Sequence, residues 1–192
     1  MTKQHARRTA ALAVSAFTLP ILLGVAAPAF ADAHRADPYG PACASVPKEG
    51  SGSLEGMSKE PVATAASNNP ALSTLVTAVK KAGLVDTLNN AEGITVFAPT
   101  NEAFAKIPKA DLDKILADKA ELTKILTYHV VGEKITPDQL AAGSFKTLEG
   151  GSLTTAGSGD NFTVNGKAKI VCGDIQTANG TVNVIDTVLT PM

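Results

Sequence analysis

Apolar residues recur every three or four positions through the first half of the chain. Leu72, Leu75 and Val79 follow this spacing, which is typical of a helix with one buried face. Gly83 stands where helices often end in glycine, so a helix is predicted between Asn69 and Gly83. The same spacing predicts further helical turns over 84–88, 102–107, 110–116 and 118–126.

After Tyr128 the pattern changes to short β-like runs separated by turn residues. Asn165-Gly166 and Asn179-Gly180 are typical of two-residue hairpin turns. The runs around them predict strands over 128–131, 145–148, 153–155, 162–164, 167–171 and 181–189. Helices first and strands second predict an α+β domain, with helices packed against an antiparallel sheet or sandwich.

The segment ITVFAPTNEAF, residues 94–104, joins a short predicted strand to a predicted helix. Its polar residues have two interpretations, a reactive loop or a structural joint. Pro99 restricts the residue before it to extended geometry and helps to end the strand. Thr100 or Asn101 is expected to cap the helix by accepting a hydrogen bond from a free backbone N–H. The structural joint is the favoured interpretation.

The N-terminal part of the chain divides into two segments before the domain. Residues 1–31 have the features of a secretory signal peptide, with early cations, an apolar stretch and small residues at Ala29 and Ala31. Residues 32–59 are polar and rich in Pro, Gly and Ser, which predicts a flexible arm except near Cys43. The domain is predicted to cover residues 60–192, and the mature protein is expected to be secreted.

Charge and composition narrow the classes of partner. Removing the three cations of the signal leaves 14 Lys and Arg against 18 Asp and Glu, so the mature chain is mildly acidic. Nucleic-acid binding usually needs a basic surface, and a polybasic membrane patch is missing from the sequence as well. The absence of Trp disfavours aromatic platforms for sugars or bases. Charge and composition therefore disfavour nucleic acids, membranes and stacked sugars as partners.

Cys43 and Cys172 are the two cysteines of the chain. An even pair in an exported protein is typical of a disulfide. The alternative is two free thiols, which is less consistent with an oxidising compartment. A catalytic cysteine is the least favoured interpretation, because each cysteine has an evident partner.

Histidine content restricts the catalytic chemistry. His129 is the one histidine within the predicted domain, so a zinc site built on several histidines is excluded there. A Ser-His-Asp triad would have to use His129, which lies on an apparent strand between apolar neighbours. Nucleophile-elbow, phosphate-loop and calcium-loop motifs are missing from the sequence, so no cofactor or metal is expected. The glycosylation sequons at Asn161 and Asn179 are interpreted as turn residues.

Three segments resemble the signature segments of fasciclin domains. They are TVFAPTNEAF at residues 95–104, ILTYHVV at 125–131 and NGTVNVIDTVLTP at 179–191. They stand in the order and at the separations typical of that family, and the resemblance covers about residues 60–191. A signal peptide, one domain and one cysteine pair are most similar to the small secreted bacterial members, such as the immunogenic proteins of mycobacteria.

The resemblance implies a fasciclin-like sandwich or wedge of antiparallel strands, with short helices packed along one side. It also implies adhesion, extracellular matrix contact or host-surface binding without catalysis. Tyr128 and His129 match the Tyr-His pair that adhesive members are thought to use in receptor contact, so these two residues are the candidate partner-binding residues.

Three functions follow, in decreasing order of support. The first is a secreted, monomeric, non-enzymatic module that binds an extracellular or cell-surface protein through Tyr128 and His129, or through the helices of residues 70–88 and 101–127. The second is a small-molecule or glycan carrier with a pocket between the sheet and the helices. The third is a hydrolase that uses His129 with Thr100 or a serine.

Overall fold

The computed structural model describes residues 37–191, and residues 1–36 and Met192 lie outside the described part of the chain. The predicted signal peptide therefore lies outside the described residues, as does the start of the predicted arm. Within residues 37–191, no helix combines the length and the apolar character that a membrane crossing needs.

Helices occupy most of the chain before Tyr128. Two 3-10 turns lie at Pro41–Ser45 and Pro70–Leu72. The α-helices are α1 (Leu54–Ser58), α2 (Val62–Ser67), α3 (Ser73–Ala82), α4 (Val85–Asn90), α5 (Asn101–Ala105), α6 (Lys109–Ala117), α7 (Lys119–Tyr128) and α8 (Pro137–Leu140). The apolar spacing predicted α3 to α7 to within a few residues, because their inward faces repeat at the helical period. It did not predict α1 and α2.

The strands form one mixed sheet. They are β1 (Ile94–Pro99), β2 (Val130–Val131), β3 (Ala142–Lys146), β4 (Ser152–Ser158), β5 (Asn161–Val164), β6 (Ala168–Gln176) and β7 (Gly180–Ile185). The spatial order is β2-β1-β7-β6-β5-β4-β3. A further bridge between Val131 and Thr147 connects β2 to the turn after β3, so the sheet curls towards a closed wedge. The predicted α+β class is confirmed.

The central pair of strands differs from the prediction of an antiparallel sheet. β1 and β7 run parallel, from the Ile94–Gly180 pair to the Pro99–Ile185 pair, while the other pairs are antiparallel. Parallel neighbours need a long connection between them, and here most of the domain lies between the two strands. Local sequence patterns carry no information about such a distant pairing.

The curled sheet separates two apolar cores. Ile94, Val96 and Ala98 of β1 belong to a core that also contains buried residues of α1 to α4 and α7. Phe97, whose side chain points to the opposite face, belongs to a second core enclosed largely by β3 to β6 and α8. The Tyr128–His129 segment lies where α7 passes into β2, between these two cores.

Residues 39–59 pack against the domain, whereas their composition predicts a flexible arm. Tyr39 and Gly173 of β6 exchange backbone hydrogen bonds of 3.2 and 2.8 Å. The Tyr39 ring meets Phe162 edge-on, with 5.3 Å between ring centroids. A Cβ atom at Gly173 would collide with the Tyr39 ring, so glycine at this position permits the contact.

Two further anchors, a disulfide and a buried methionine, hold this N-terminal segment, and a side-chain cap orders its own helix. Cys43 and Cys172 form a disulfide with a Cα–Cα distance of 4.9 Å, as the cysteine pair predicted. Ser53 caps α1 by accepting a hydrogen bond of 3.0 Å from the Gly56 N–H, and Met57 is only 3% exposed. Average composition does not reveal these anchors, because a few single residues hold an otherwise polar segment.

Candidate functional site

The strand–helix joint of residues 99–101 is a set of satisfied hydrogen bonds. Thr100 has extended backbone geometry, and its Oγ1 accepts a hydrogen bond of 3.1 Å from the Ala103 N–H. Thr100 is therefore the N-cap of α5. Pro99 is buried at the end of β1 opposite Ile185. Thr100 and Pro99 therefore both have structural roles in the joint.

Asn101 has a different role, which the sequence pattern does not indicate. Its Oδ1 accepts hydrogen bonds from the Thr74 N–H at 2.9 Å and from the Ser73 hydroxyl at 3.2 Å. Its Nδ2 donates to the Pro70 carbonyl at 2.9 Å. Asn101 thus connects the start of α5 to the start of α3, and no polar atom of the joint is positioned as an isolated nucleophile.

His129 is the C-cap residue of α7 and is only 2% exposed. Its Nδ1 lies 2.8 Å from the Ile125 carbonyl oxygen, and its Nε2 lies 2.9 Å from the Leu189 amide nitrogen. A carbonyl can only accept and an amide N–H can only donate. The ring is therefore neutral, with the proton on Nδ1 and the lone pair of Nε2 accepting the Leu189 N–H.

The surroundings of His129 favour this neutral form. Burial lowers the pKa of His129 to about 4, and the hydrogen bond to Ile125 opposes that effect only partly. The prediction placed His129 on a strand, but α7 continues through Tyr128 and the following strand contains only Val130 and Val131. The β-branched pair after the histidine made the whole segment resemble a strand.

Tyr128 is also buried, at 2% exposure. Its hydroxyl donates to the Ser152 carbonyl at 3.0 Å and accepts from Nδ2 of Asn165 at 3.1 Å. Asn165 occupies the left-handed region, with φ of 52°, in the predicted hairpin turn between β5 and β6. Tyr128 therefore connects α7 to the strands of the second core.

The two candidate partner-binding residues thus lie inside the domain. Tyr128 connects α7 to β4 and the β5–β6 turn, and His129 connects α7 to the C-terminal segment at Leu189. In this structure neither side chain offers a surface to a partner. Any effect of the pair on binding would pass through the position of α7.

The side chain of Asn179 likewise forms hydrogen bonds with backbone groups inside the domain. Its Nδ2 donates to the carbonyls of Leu88 and Ala91 at 2.7 and 2.6 Å, and its Oδ1 accepts from the Val62 N–H at 2.8 Å. The side chain joins the β6–β7 turn to α2 and α4. Asn161, the other sequon residue, is exposed at the start of β5.

Sequence analysis did not single out Asp174, which is buried in an irregular part of β6. It has a φ of 58° and is 5% exposed. Its Oδ1 accepts a hydrogen bond of 2.6 Å from Gln176, which in turn accepts one of 2.8 Å from Lys134. Burial raises the pKa of Asp174, while Lys134 and Gln176 act in the opposite direction. A positive φ cannot be read from an isolated aspartate in a strand-like sequence.

An apolar cavity of about 40 Å³, called here the helix cavity, lies where α2, α3 and α4 face β1 and α7. Ala66 and Val76 line it from the helices, and Leu148, which is 45% exposed, lines its edge. A second cavity of about 20 Å³ lies beneath α6. His129 lines both cavities, and no charged side chain of the described residues lines either one.

Metal ligation has no candidate within residues 37–191. No group of three or more His, Cys, Asp or Glu side chains in that range is placed to hold an ion.

Comparison with known proteins identifies the domain type. A family model described as the fasciclin domain matches residues 70–191. The chain is 43% identical over 188 residues to the immunogenic protein MPB70 of Mycobacterium bovis, covering 94% of this chain and 96% of that protein. It is 48% identical over 164 residues to the cell surface glycolipoprotein MPB83 of the same species, covering 81% and 73%.

A solved structure supports the fold. The chain matches a FAS1 domain pair from the insect cell adhesion molecule Fasciclin I with a TM-score of 0.58 at 21% identity. The match covers 71% of this chain and 52% of that structure, so this chain spans about half of the pair. These matches confirm the family and the wedge-like fold that the three sequence segments predicted.

Proposed function

The chain belongs to the fasciclin domain family, and from that premise we propose that it is an extracellular binding module without enzymatic activity. Its role in this proposal is adhesion-like contact with a protein of a cell surface or of the extracellular matrix. Relatives that include a cell surface glycolipoprotein support the extracellular location.

The hydrogen bonds that His129 forms inside the domain are the observation that carries the proposal. Both ring nitrogens already bond to backbone groups of the same domain, and the ring is 2% exposed. A catalytic histidine must instead reach a nucleophile and a substrate. This arrangement disfavours the hydrolase interpretation and gives the histidine a structural role.

The burial of the Tyr-His pair moves the proposed contact surface to the outer helices. Within the described residues, α6 contains no buried residue. It presents Lys109 and Asp113 to solvent, while Leu112 and Ile115 are half-buried beneath them. Charged side chains on an exposed helix steer and orient a protein partner. We therefore place the contact surface on α6.

Charge reversal on α6 tests the contact surface. A variant with Lys109→Glu and Asp113→Lys keeps the net charge and changes two exposed side chains. The matched control carries Lys146→Glu and Asp160→Lys, which are exposed on β3 and after β4. The measurement is retention of each purified protein on immobilised extracellular matrix and cell-envelope proteins.

Wild type and control are expected to be retained to the same extent. Retention of the α6 variant is expected to be lower by about fivefold or more, because reversing two exposed charges disturbs electrostatic complementarity. Equal retention of all three proteins would contradict the α6 surface. Failure of the wild type to bind any extracellular protein would contradict the function itself.

A further inference from the structure

We propose that ionisation of Asp174 weakens the attachment of Tyr39 and Gly40 to β6, so that these two residues open more often at neutral pH than in acid. Tyr39 and Gly40 are called here the N-terminal strap. The strap is separate from the α6 contact, since it consists of these two residues and the part of β6 beneath them.

The N-terminal strap lies directly on β6. Gly173 exchanges both of its backbone hydrogen bonds with Tyr39. Gly40 has a φ of 108°, and a Cβ atom there would collide with the Val171 carbonyl, so its backbone packs closely on the strand. The disulfide holds the chain beyond the strap, at Cys43. The strap can therefore open while the disulfide stays intact.

Asp174 follows Gly173 in an irregular part of β6. The pairing of β6 with β7 shifts its register on both sides of Cys172. Asp174 has a φ of 58°, in the left-handed region that few residues other than glycine adopt. Its N–H donates to Oδ1 of Asn183, a neutral side chain of β7, at 3.0 Å. The buried carboxyl group is thus held directly beside the residue that binds the strap.

The groups around Asp174 compensate its charge only in part. On β6, the Gln176 amide donates to Oδ1 of Asp174 at 2.6 Å, and the exposed Lys134 of the β2–α8 loop reaches Gln176 at 2.8 Å. The strap contributes Tyr39, whose buried hydroxyl has no hydrogen-bond partner within residues 37–191. The β4–β5 turn contributes Asp160, a second acid whose charge acts on Tyr39. Lys134 is therefore the cation that opposes the two acids.

Burial sets the direction of the pH effect. It raises the pKa of Asp174 above the ordinary value of 3.8, while Lys134 and Gln176 oppose that effect. Opening of the strap lets water reach the carboxylate and removes this penalty, so protonated Asp174 favours the closed strap. This contribution is complete below about pH 3.8 and is lost as the pH rises through the raised pKa.

Opening of the strap uncovers an apolar side chain. The Tyr39 ring meets Phe162 edge-on, and Phe162 is only 4% exposed when the strap is closed. Burial, Asp174 and Asp160 all raise the pKa of Tyr39, so its hydroxyl stays neutral over the same pH range. The charge of Asp174 thus sets how often the face beneath the strap is open to solvent.

Amide hydrogen exchange tests the proposal on ¹⁵N-labelled protein comprising residues 32–192. Asp174→Asn keeps the size of the side chain and tolerates the left-handed backbone, but it cannot ionise. The Gly173 N–H donates to the Tyr39 carbonyl and reports opening of the strap. Its exchange rate in the wild type, divided by that in Asp174→Asn, should rise about threefold or more from pH 4 to pH 7. The same ratio for the Asp186 N–H, which donates to Lys169, should stay constant.

Two further variants separate the charges. Lys134→Gln removes the opposing cation at an exposed position, so the pH dependence of Gly173 exchange should become steeper than in the wild type. Asp160→Asn removes the other acid and should leave that pH dependence unchanged. Thermal melting checks the folding of each variant, and the comparison of wild type with Lys134→Gln decides if Asp174→Asn does not fold.

A constant Gly173 ratio between pH 4 and pH 7 would overturn the proposal. Equal pH dependence of Gly173 exchange in the wild type and Lys134→Gln would also overturn it. So would a pH dependence that disappears in Asp160→Asn, because the titrating group would then be Asp160. Retention on extracellular proteins measures the α6 contact independently of all three outcomes.

Discussion

The Leu189 amide donates a hydrogen bond of 2.9 Å to Nε2 of His129, which lies 60 positions earlier in the chain. Leu189 and His129 are buried, at 4% and 2% exposure. The bond attaches the C-terminal segment to the end of α7 and requires an unprotonated Nε2. One neutral imidazole therefore connects two of the three family segments, and its protonation should separate them.

Acid pH should weaken the fold through His129. Its pKa is lowered from 6.5 to about 4 in the folded protein, so below pH 6.5 the unfolded chain binds the proton first. The contribution of the neutral ring to the free energy of unfolding is complete above about pH 6.5. It is lost as the pH falls from there through about 4. The predicted loss at pH 4 is on the order of 3 kcal/mol, measured by urea unfolding.

A His129→Gln variant is the control for that titration. Carboxylates in general also titrate in the acid range, but their contribution is shared by both proteins. The free energy of unfolding should therefore fall more steeply with acid in the wild type than in the variant. Identical pH profiles would mean that His129 does not titrate as its buried position requires.

Removal of the Thr100 hydroxyl should destabilise the protein by about 1 kcal/mol, the usual value of a helix N-cap. Thr100→Ser keeps an oxygen that can accept the Ala103 N–H and should stay close to wild type. Thermal and urea unfolding of Thr100→Ala and Thr100→Ser provide the comparison. An equal loss in both variants would assign the effect to the methyl group instead of the cap.

Asn101→Ala should also destabilise, for a different reason. It removes the acceptor of the Thr74 N–H and the donor to the Pro70 carbonyl, so we expect about 1–2 kcal/mol. Hydrogen exchange should speed up at the Thr74 amide in Asn101→Ala but not in Thr100→Ala. Equal exchange at Thr74 in the two variants would show that Asn101 does not hold the start of α3.

Tyr128→Phe should cost about 1–3 kcal/mol, because it leaves the Ser152 carbonyl and Nδ2 of Asn165 without their partner. The ring itself keeps its packing, so the fold should survive. Urea unfolding measures the cost, and retention on extracellular proteins should remain at the wild-type level. A stable Tyr128→Phe variant that no longer binds would restore the tyrosine as a direct contact.

Reduction of the Cys43–Cys172 disulfide should destabilise the fold by about 2–5 kcal/mol. The bridge closes a loop of 129 positions, and it lies beside the Tyr39–Gly173 backbone pair. Exchange of the Gly173 amide, which donates to Tyr39, should therefore speed up in a Cys43→Ser/Cys172→Ser variant. Unchanged exchange there would show that the N-terminal segment binds without the disulfide.

The family and fold class could be predicted because local patterns encode them. Helical spacing located α3 and α7, and Asn165-Gly166 marked a hairpin whose left-handed turn the structure contains, with φ values of 52° and 65°. The Thr100 cap is likewise a short-range feature, so the sequence restricted it to two residues.

The remaining features depend on contacts between distant residues. The parallel pairing of Ile94 with Gly180 and the hydrogen bond between His129 and Leu189 join positions that no local pattern relates. Burial of Tyr128 was missed for the same reason, since its hydroxyl finds partners in a strand and a turn that follow much later. The resemblance to the family therefore suggested Tyr128 and His129 as contact residues, although the fold buries both side chains.

The most direct test of the α6 contact is crosslinking of protein comprising residues 32–192 to extracellular proteins with an amine-reactive reagent, followed by mass spectrometry. Lys109 and Lys114 are exposed on α6, and Lys146 and Lys167 are exposed on the strand side. The account predicts that partner crosslinks concentrate on Lys109 and Lys114. Crosslinks confined to Lys146 and Lys167 would contradict it.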